Sequence, residues 1–146
     1  MLEEIPSKVY QGISFEKDGS PNFDLLASCF IEQGMFINNK GDTPVIKTVP
    51  AYIAMIGSAI ESGTIVSIKE MELSSSIQTY GKVAQISSEY ELTFEGKQGI
   101  QTRYGVNLFQ LIFQNDQWLI SSMCWDDRAE KSLLTKGVQQ GGAVES

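Results

Sequence analysis

Apolar residues recur every three or four positions up to about residue 62 and every second position from Thr64 onward, so the chain divides into a helical first part and an extended second part. Over 3–16, Ile5, Val9 and Ile13 return every four residues behind Pro6, which predicts an amphipathic helix weakened by Gly12. The stretch "KDGSPN" breaks it, and Asn22 is placed to cap a second short helix with Phe23, Leu26 and Phe30 on one side. "IEQGMFINNKGD" then reads as a short strand ending in a turn. A third helix is predicted over 48–62, with Thr48 as cap, Pro50 in the first turn, Gly63 as stop and Val49, Ile53, Ile56 and Ile60 as its buried stripe.

Strands follow over 64–74, 77–95, 99–114 and 117–126, separated by "SSS", "EGKQG" and "QND". Helices first and a meander of long strands afterwards is an α+β order. In strand 77–95, Ala84, Ile86, Ser88, Tyr90, Leu92 and Phe94 share one face and Gln85, Ser87, Glu89, Glu91 and Thr93 the other, so the first face is the one the helices cover. The closing segment "RYGVNLFQLIFQNDQWLISSMCWDD" is apolar on both alternations and therefore needs two covers. The helices supply one; a second copy of the chain, or a terminal segment folded over the sheet, supplies the other. One domain over 1–128 is expected, with 129–146 a short helix, beginning near 127, and a loose tail, "KGVQQGGAVES".

A chain of 146 residues is long enough for one well-filled core. Eleven basic against eighteen acidic side chains leave a net charge of −7, and the basic ones are scattered. That is the wrong balance for a phosphate-backbone surface, so no nucleic-acid partner is expected. No apolar run nears the roughly 20 residues of a membrane span, and "MLEEIPSKVY" has no signal-peptide pattern, so a cytoplasmic protein away from membranes is expected. Cys29 and Cys124 match no metal spacing or disulfide framework. There is no histidine, which removes the commonest general base and the commonest zinc ligand. No metal and no cofactor are expected, and any catalysis falls to carboxylates, tyrosines or lysines.

The endings carry a resemblance. "GVNLFQLIFQNDQWLISSMCWDD" and "GKVAQISSEYE" are similar to the closing hairpin and an earlier strand of bacterial members of the nuclear transport factor 2-like superfamily, which includes SnoaL-like and ketosteroid isomerase-like proteins. The resemblance, over roughly 1–128, implies a cone: three N-terminal helices packed on a strongly curved antiparallel sheet, with a deep apolar pocket between them. It fixes no activity, because this superfamily holds isomerases, dehydratases, hydrolases and non-catalytic members. Laid on the similar hairpin of the ketosteroid isomerases, it implies Asn107, Phe109 and Leu111 inward from one strand, and Ile120, Ser122, Cys124 and Asp126 inward from the next. Gln110, Ser121, Met123 and Trp125 would then face the partner subunit of a homodimer. Phe109 stands where those isomerases carry an oxyanion-binding acid, and Tyr10 lies on the helix where they carry a tyrosine.

The expected ligand-binding set is therefore Tyr52, Ser88, Tyr90, Asn107, Phe109, Ser122 and Cys124, around a small apolar molecule. Three functions are open at this point: a binding protein, a cofactor-free isomerase or dehydratase acting on a small carbonyl compound, and a protein-interaction module using the sheet face. For the enzyme, Asp126 or Asp24 would be the base, with Tyr90 or Tyr10 donating to the oxyanion; equally, Asp126 and Asp127 could simply end the strand. Asn107 needs hydrogen bonds if buried, either from a ligand or from Ser88 or Tyr90. Tyr52 either lines the cone or belongs to the core. Glu70 and Glu72 alternate with Met71 and Leu73 and join no metal cluster.

Overall fold

In the computed structural model, which describes residues 1–132, a 3-10 turn at Leu2–Glu4 leads into α1, Ile5–Ile13, and α2, Phe23–Ser28. The Asn22 side chain accepts the N–H of Leu25, so α2 starts where its cap residue puts it. Strand β1, Phe30–Asn38, and a short β2, Val45–Thr48, precede α3, Val49–Glu61, which Thr48 caps by accepting the N–H of Ala51. Four long strands complete the chain: β3, Ile65–Tyr80; β4, Val83–Gly96; β5, Gly99–Gln114; and β6, Gln117–Arg128.

All six strands form one sheet in the order β2-β1-β6-β5-β4-β3. Neighbours are antiparallel except β1 and β6, which run parallel, so the sheet is mixed rather than wholly antiparallel. Between β1 and β6 the chain runs through one helix and four further strands, a connection long enough to allow a parallel pair. The helices lie on one face. Val9 and Ile13 of α1, Leu26 of α2 and Val49 and Ile56 of α3 bury against Phe36, Ile86, Phe109, Leu111 and Ile120 of the sheet.

Three local readings change. "SSS" is no turn: Ser75 pairs with Ser88 and Ser76 with Ser87 inside one ladder, and the hairpin closes at Gly81 and Lys82, between Tyr80 and Val83. Gly81 has φ +57, the left-handed conformation that a two-residue hairpin demands and serine disfavours. The four residues of β2 went unread because so short an edge strand shows no period. β6 runs on to Arg128, and residues 129–132 form no helix; the rest of the expected helix and tail lies outside the described residues. "QND" turns as read, with Asn115 and Asp116 both at positive φ. No helix among the described residues is long and apolar enough to cross a membrane.

Candidate functional site

The polar groups that the fold brings inside come from α1, β3, β4, β5 and β6. In β4, alternation carries Ser88 and Tyr90 to the helix-covered side, where they are 0% and 2% exposed. Ser88 pairs with Asn107 of β5, and Asn107 with Trp125 of β6, so these three share one row across the sheet. The next row is Glu72, Tyr90, Gly105 and Asp127.

These side chains form a directed network. Ser88 donates its hydroxyl to Glu72 Oε2 at 2.6 Å, which leaves Tyr10 as donor in the 2.7 Å bond between Tyr10 and Ser88. Asn107 then donates Nδ2–H to the Tyr10 oxygen at 3.0 Å. Its other end is unsatisfied: Oδ1 of Asn107 is buried with no hydrogen-bond partner. Tyr90 donates to Asp127 Oδ2 over a long 3.4 Å, and Asp127 is gripped by Arg103, whose Nε–H and Nη2 both reach Oδ1 at 2.9 Å, with Lys40 at 3.8 Å. Asp127, 3% exposed, is thus the buried aspartate of the closing pair.

Gly105 makes the Tyr90–Asp127 contact possible. A Cβ there would stand 2.6 Å from the Tyr90 hydroxyl and would collide with the carbonyl of Asp126. The tyrosine crosses β5 over the one residue that has no side chain to block it.

Glu70 lies two residues before Glu72 on the same face of β3, its backbone N–H donating to Ser14 Oγ at 3.0 Å. Burial, together with the charge of Asp127, pushes its carboxyl from 4.5 up to about 8, partly offset by hydrogen bonding with Asn107. At neutral pH this acid holds its proton. Its charge when ionised acts on Tyr10, Tyr52 and Tyr90, all of which burial already raises well above the usual phenol range. Glu70 keeps some accessible surface and, with Tyr10 and Glu72, borders a depression of about 440 Å³ between α1 and β3. Tyr52 of α3 stacks flat on Phe36 at 3.9 Å, and Trp125 meets both rings edge-on at 6.3 and 6.1 Å.

The expected site residues divide accordingly. Tyr10, Tyr52, Ser88, Tyr90, Asn107 and Phe109 all come together on the concave side. Ser122, Cys124 and Asp126 do not. Leu111 pairs with Ile120 and Gln110 with Ser122, so Ser121 is an extra residue in β6, and beyond this bulge the alternation reverses. Met123, Trp125 and Asp127 turn inward, while Ser122, Cys124 and Asp126 face out. Asp126, its side chain 46% exposed and paired with Arg128, is remote from the interior and cannot serve as its base. Met123 and Trp125 are likewise unavailable to a partner subunit through the outer face. Asp24 stays in the first turn of α2.

Glu70, Glu72 and Asp127 are the residues that sequence reading passed over. The available signal was parity: Glu70 and Glu72 share the face of Ile68, which pairs with the inward Phe94.

No family model matches the chain, and no curated protein matches it. Solved structures do match. A scytalone dehydratase-like protein from Novosphingobium aromaticivorans superposes with a TM-score of 0.69 at 12% identity, over 99% of this chain and 93% of that one. The hexachlorocyclohexane dehydrochlorinase LinA-type3 from Novosphingobium barchaimii gives 0.70 at 9% identity, over 86% and 83%. An NTF2-like protein of unknown function from Pseudomonas putida gives 0.61 at 10%, over 86% and 82%. At these identities the likeness is one of fold: the chain has the NTF2-like, cystatin-like α+β architecture.

Proposed function

We propose that this protein binds a small, mostly apolar molecule inside the cone, between the helices and the concave face of the sheet. What carries the reading is Asn107 Oδ1, a buried acceptor without a partner, set among Phe109, Tyr90 and Tyr10. Leaving such a group unmade costs about 1–3 kcal/mol, a cost that a guest bringing a hydroxyl or N–H would remove. Because Nδ2 already serves Tyr10, the amide asks its guest for a donor rather than a carbonyl. Native mass spectrometry of protein purified without added ligand tests this: retained small-molecule mass supports it, and a bare protein that also takes up no small alcohol contradicts it.

A second reading, a cofactor-free isomerase or dehydratase acting on a small carbonyl compound, is favoured by Glu70, whose carboxyl is poised near neutrality. Glu70 replaces Asp126 as its acid–base group. Proton exchange at the α-carbon of cyclohexanone in D₂O measures it; exchange lost in Glu70→Gln supports the enzyme, and no exchange in the unaltered protein contradicts it.

The outer face supports a homodimer. Leu73 and Leu108, 41% and 47% exposed, border with Val106 and Cys124 a depression of about 590 Å³ there, where a second copy would cover them. Sedimentation equilibrium of the unaltered protein and of Leu108→Glu would separate dimer from monomer.

A further inference from the structure

Two carboxylates, one directly and one through a serine, draw the phenol hydrogens of the interior away from it. Glu72 of β3 accepts from Ser88 at 2.6 Å, and an ionised carboxylate only accepts, so the direction of each bond behind it follows. A hydroxyl has one hydrogen. That of Ser88 goes to Glu72, so in the 2.7 Å contact with Tyr10 the phenol donates. The Tyr10 oxygen then has only lone pairs to offer Asn107, which meets them with its Nδ2–H at 3.0 Å; held by its nitrogen, the amide presents its oxygen, the buried Oδ1 without a partner. The hydrogen of Tyr90 points to Asp127, which Arg103 holds in place. Neither phenol keeps a hydrogen for a guest.

We infer that Glu72 sets the hydrogen-bond polarity of the proposed pocket, selecting a guest with a hydroxyl or N–H on an apolar body over the ketone of the same shape. This selection rests on the binding role proposed above. Glu72 is a positioning residue: it acts on the guest through Ser88, Tyr10 and Asn107, and itself stands half-buried in the wall of the depression between α1 and β3, beside Lys69 and Glu70. The three side chains between it and the guest are no more than 3% exposed, so bulk water offers them no other partners and one bond direction is passed along all of them.

The same geometry makes the polarity reversible. Ser88 and Asn107 lie opposite each other on β4 and β5, and Tyr10 reaches both from α1, so the row can turn over with the backbone still. With a donor-only group at position 72, an ammonium donates to Ser88, Ser88 to Tyr10 and Tyr10 to Asn107 Oδ1. The amide needs only a half-turn about its Cβ–Cγ bond, and its N–H then stands where its oxygen stood. An N–H there calls for an acceptor.

Cyclohexanol and cyclohexanone share a ring and differ in the hydrogen on oxygen, and NMR titration of the unaltered protein, Glu72→Gln and Glu72→Lys gives their Kd values. The unaltered protein is expected to bind cyclohexanol about tenfold more tightly, since the ketone leaves Oδ1 unpaired. In Glu72→Lys the order should reverse, and in Glu72→Gln, whose amide can accept or donate, the two ligands should approach parity. A merely structural role for Glu72 would weaken both together without exchanging their order. Equal binding, or a preference for the ketone, in the unaltered protein would overturn the selection and leave the pocket standing. Binding of neither would overturn both. An unchanged preference for cyclohexanol in the variants would overturn the role of Glu72 alone. Should Glu72→Lys not fold, the near-isosteric Glu72→Gln decides: a tenfold preference kept there overturns the role, and its loss supports it.

Discussion

Asn107 and Tyr10, 97 residues apart in sequence, meet through a 3.0 Å hydrogen bond in which the amide donates to the phenol oxygen. The bond ties the first helix to the second-to-last strand and turns the amide so that its oxygen faces the interior without a partner. Fold and site therefore share a single side chain. Tyr10→Phe should cost about 1–3 kcal/mol, because Asn107 and Ser88 both lose a partner. In a double-mutant cycle with Asn107→Leu, the pair should destabilise less than the sum of the singles, by about 0.5 kcal/mol or more. Urea unfolding measures this; strict additivity would mean that the bond contributes nothing.

Glu70 makes stability depend on pH in an uncommon direction for an acid. Its folded value, about 8, lies above the 4.5 of the free side chain, so the folded state holds the proton longer. The contribution is complete below pH 4.5, declines as the unfolded chain ionises, and is exhausted once pH passes 8. The slope from this one group is at most about 1.4 kcal/mol per pH unit. Unfolding midpoints at pH 5, 6.5 and 8 should fall in that order and flatten in Glu70→Gln. A midpoint that rises over this range in the unaltered protein but not in the variant would reverse the sign assigned here.

Gly105→Ala tests the passage of Tyr90 over β5. The added methyl meets both the Tyr90 hydroxyl and the backbone of Asp126, so the strand pair must shift, at a cost of about 1–3 kcal/mol. Tyr90→Phe in the same background removes the oxygen but not the backbone clash, so it should recover only part of that loss. Full recovery would place the whole conflict at the hydroxyl.

Ser121 is the residue that sets which half of β6 faces inward. Its deletion would restore simple alternation and swing Met123, Trp125 and Asp127 to the outside, exposing two apolar side chains and separating Asp127 from Tyr90. Loss of the cooperative unfolding transition is expected. A deletion variant that unfolds cooperatively, with unchanged tryptophan fluorescence, would show that β6 has another way to keep its register.

Periodicity carried most of the architecture. The caps at Asn22 and Thr48, the order of helices before strands and the inward face of β4 were legible, because each follows from local propensity and a regular alternation; the inward face of β5, apolar on both sides, came only from the resemblance. What stayed hidden turned on single residues. A bulge at Ser121 reverses alternation without changing composition, so Asp127 exchanged places with Asp126 and Trp125 with Cys124. Glu70 and Glu72 were read only as joining no metal cluster, since it takes the bond from Ser88 and the neighbourhood of Asn107 to give them a role. The pairing of serine with serine in the β3–β4 ladder likewise depends on long-range register, not on the turn preference of serine.

The cone interior is the place proposed for a bound small molecule. Side-chain amide and indole resonances of ¹⁵N-labelled protein, followed during titration with benzyl alcohol, address this directly. The Asn107 amide and the Trp125 indole should move together and saturate, while backbone signals of Val106 and Leu108 stay within the small shifts of their strand. Saturating shifts confined to Leu73, Leu108 and Cys124 on the outer face, with Asn107 still, would contradict it.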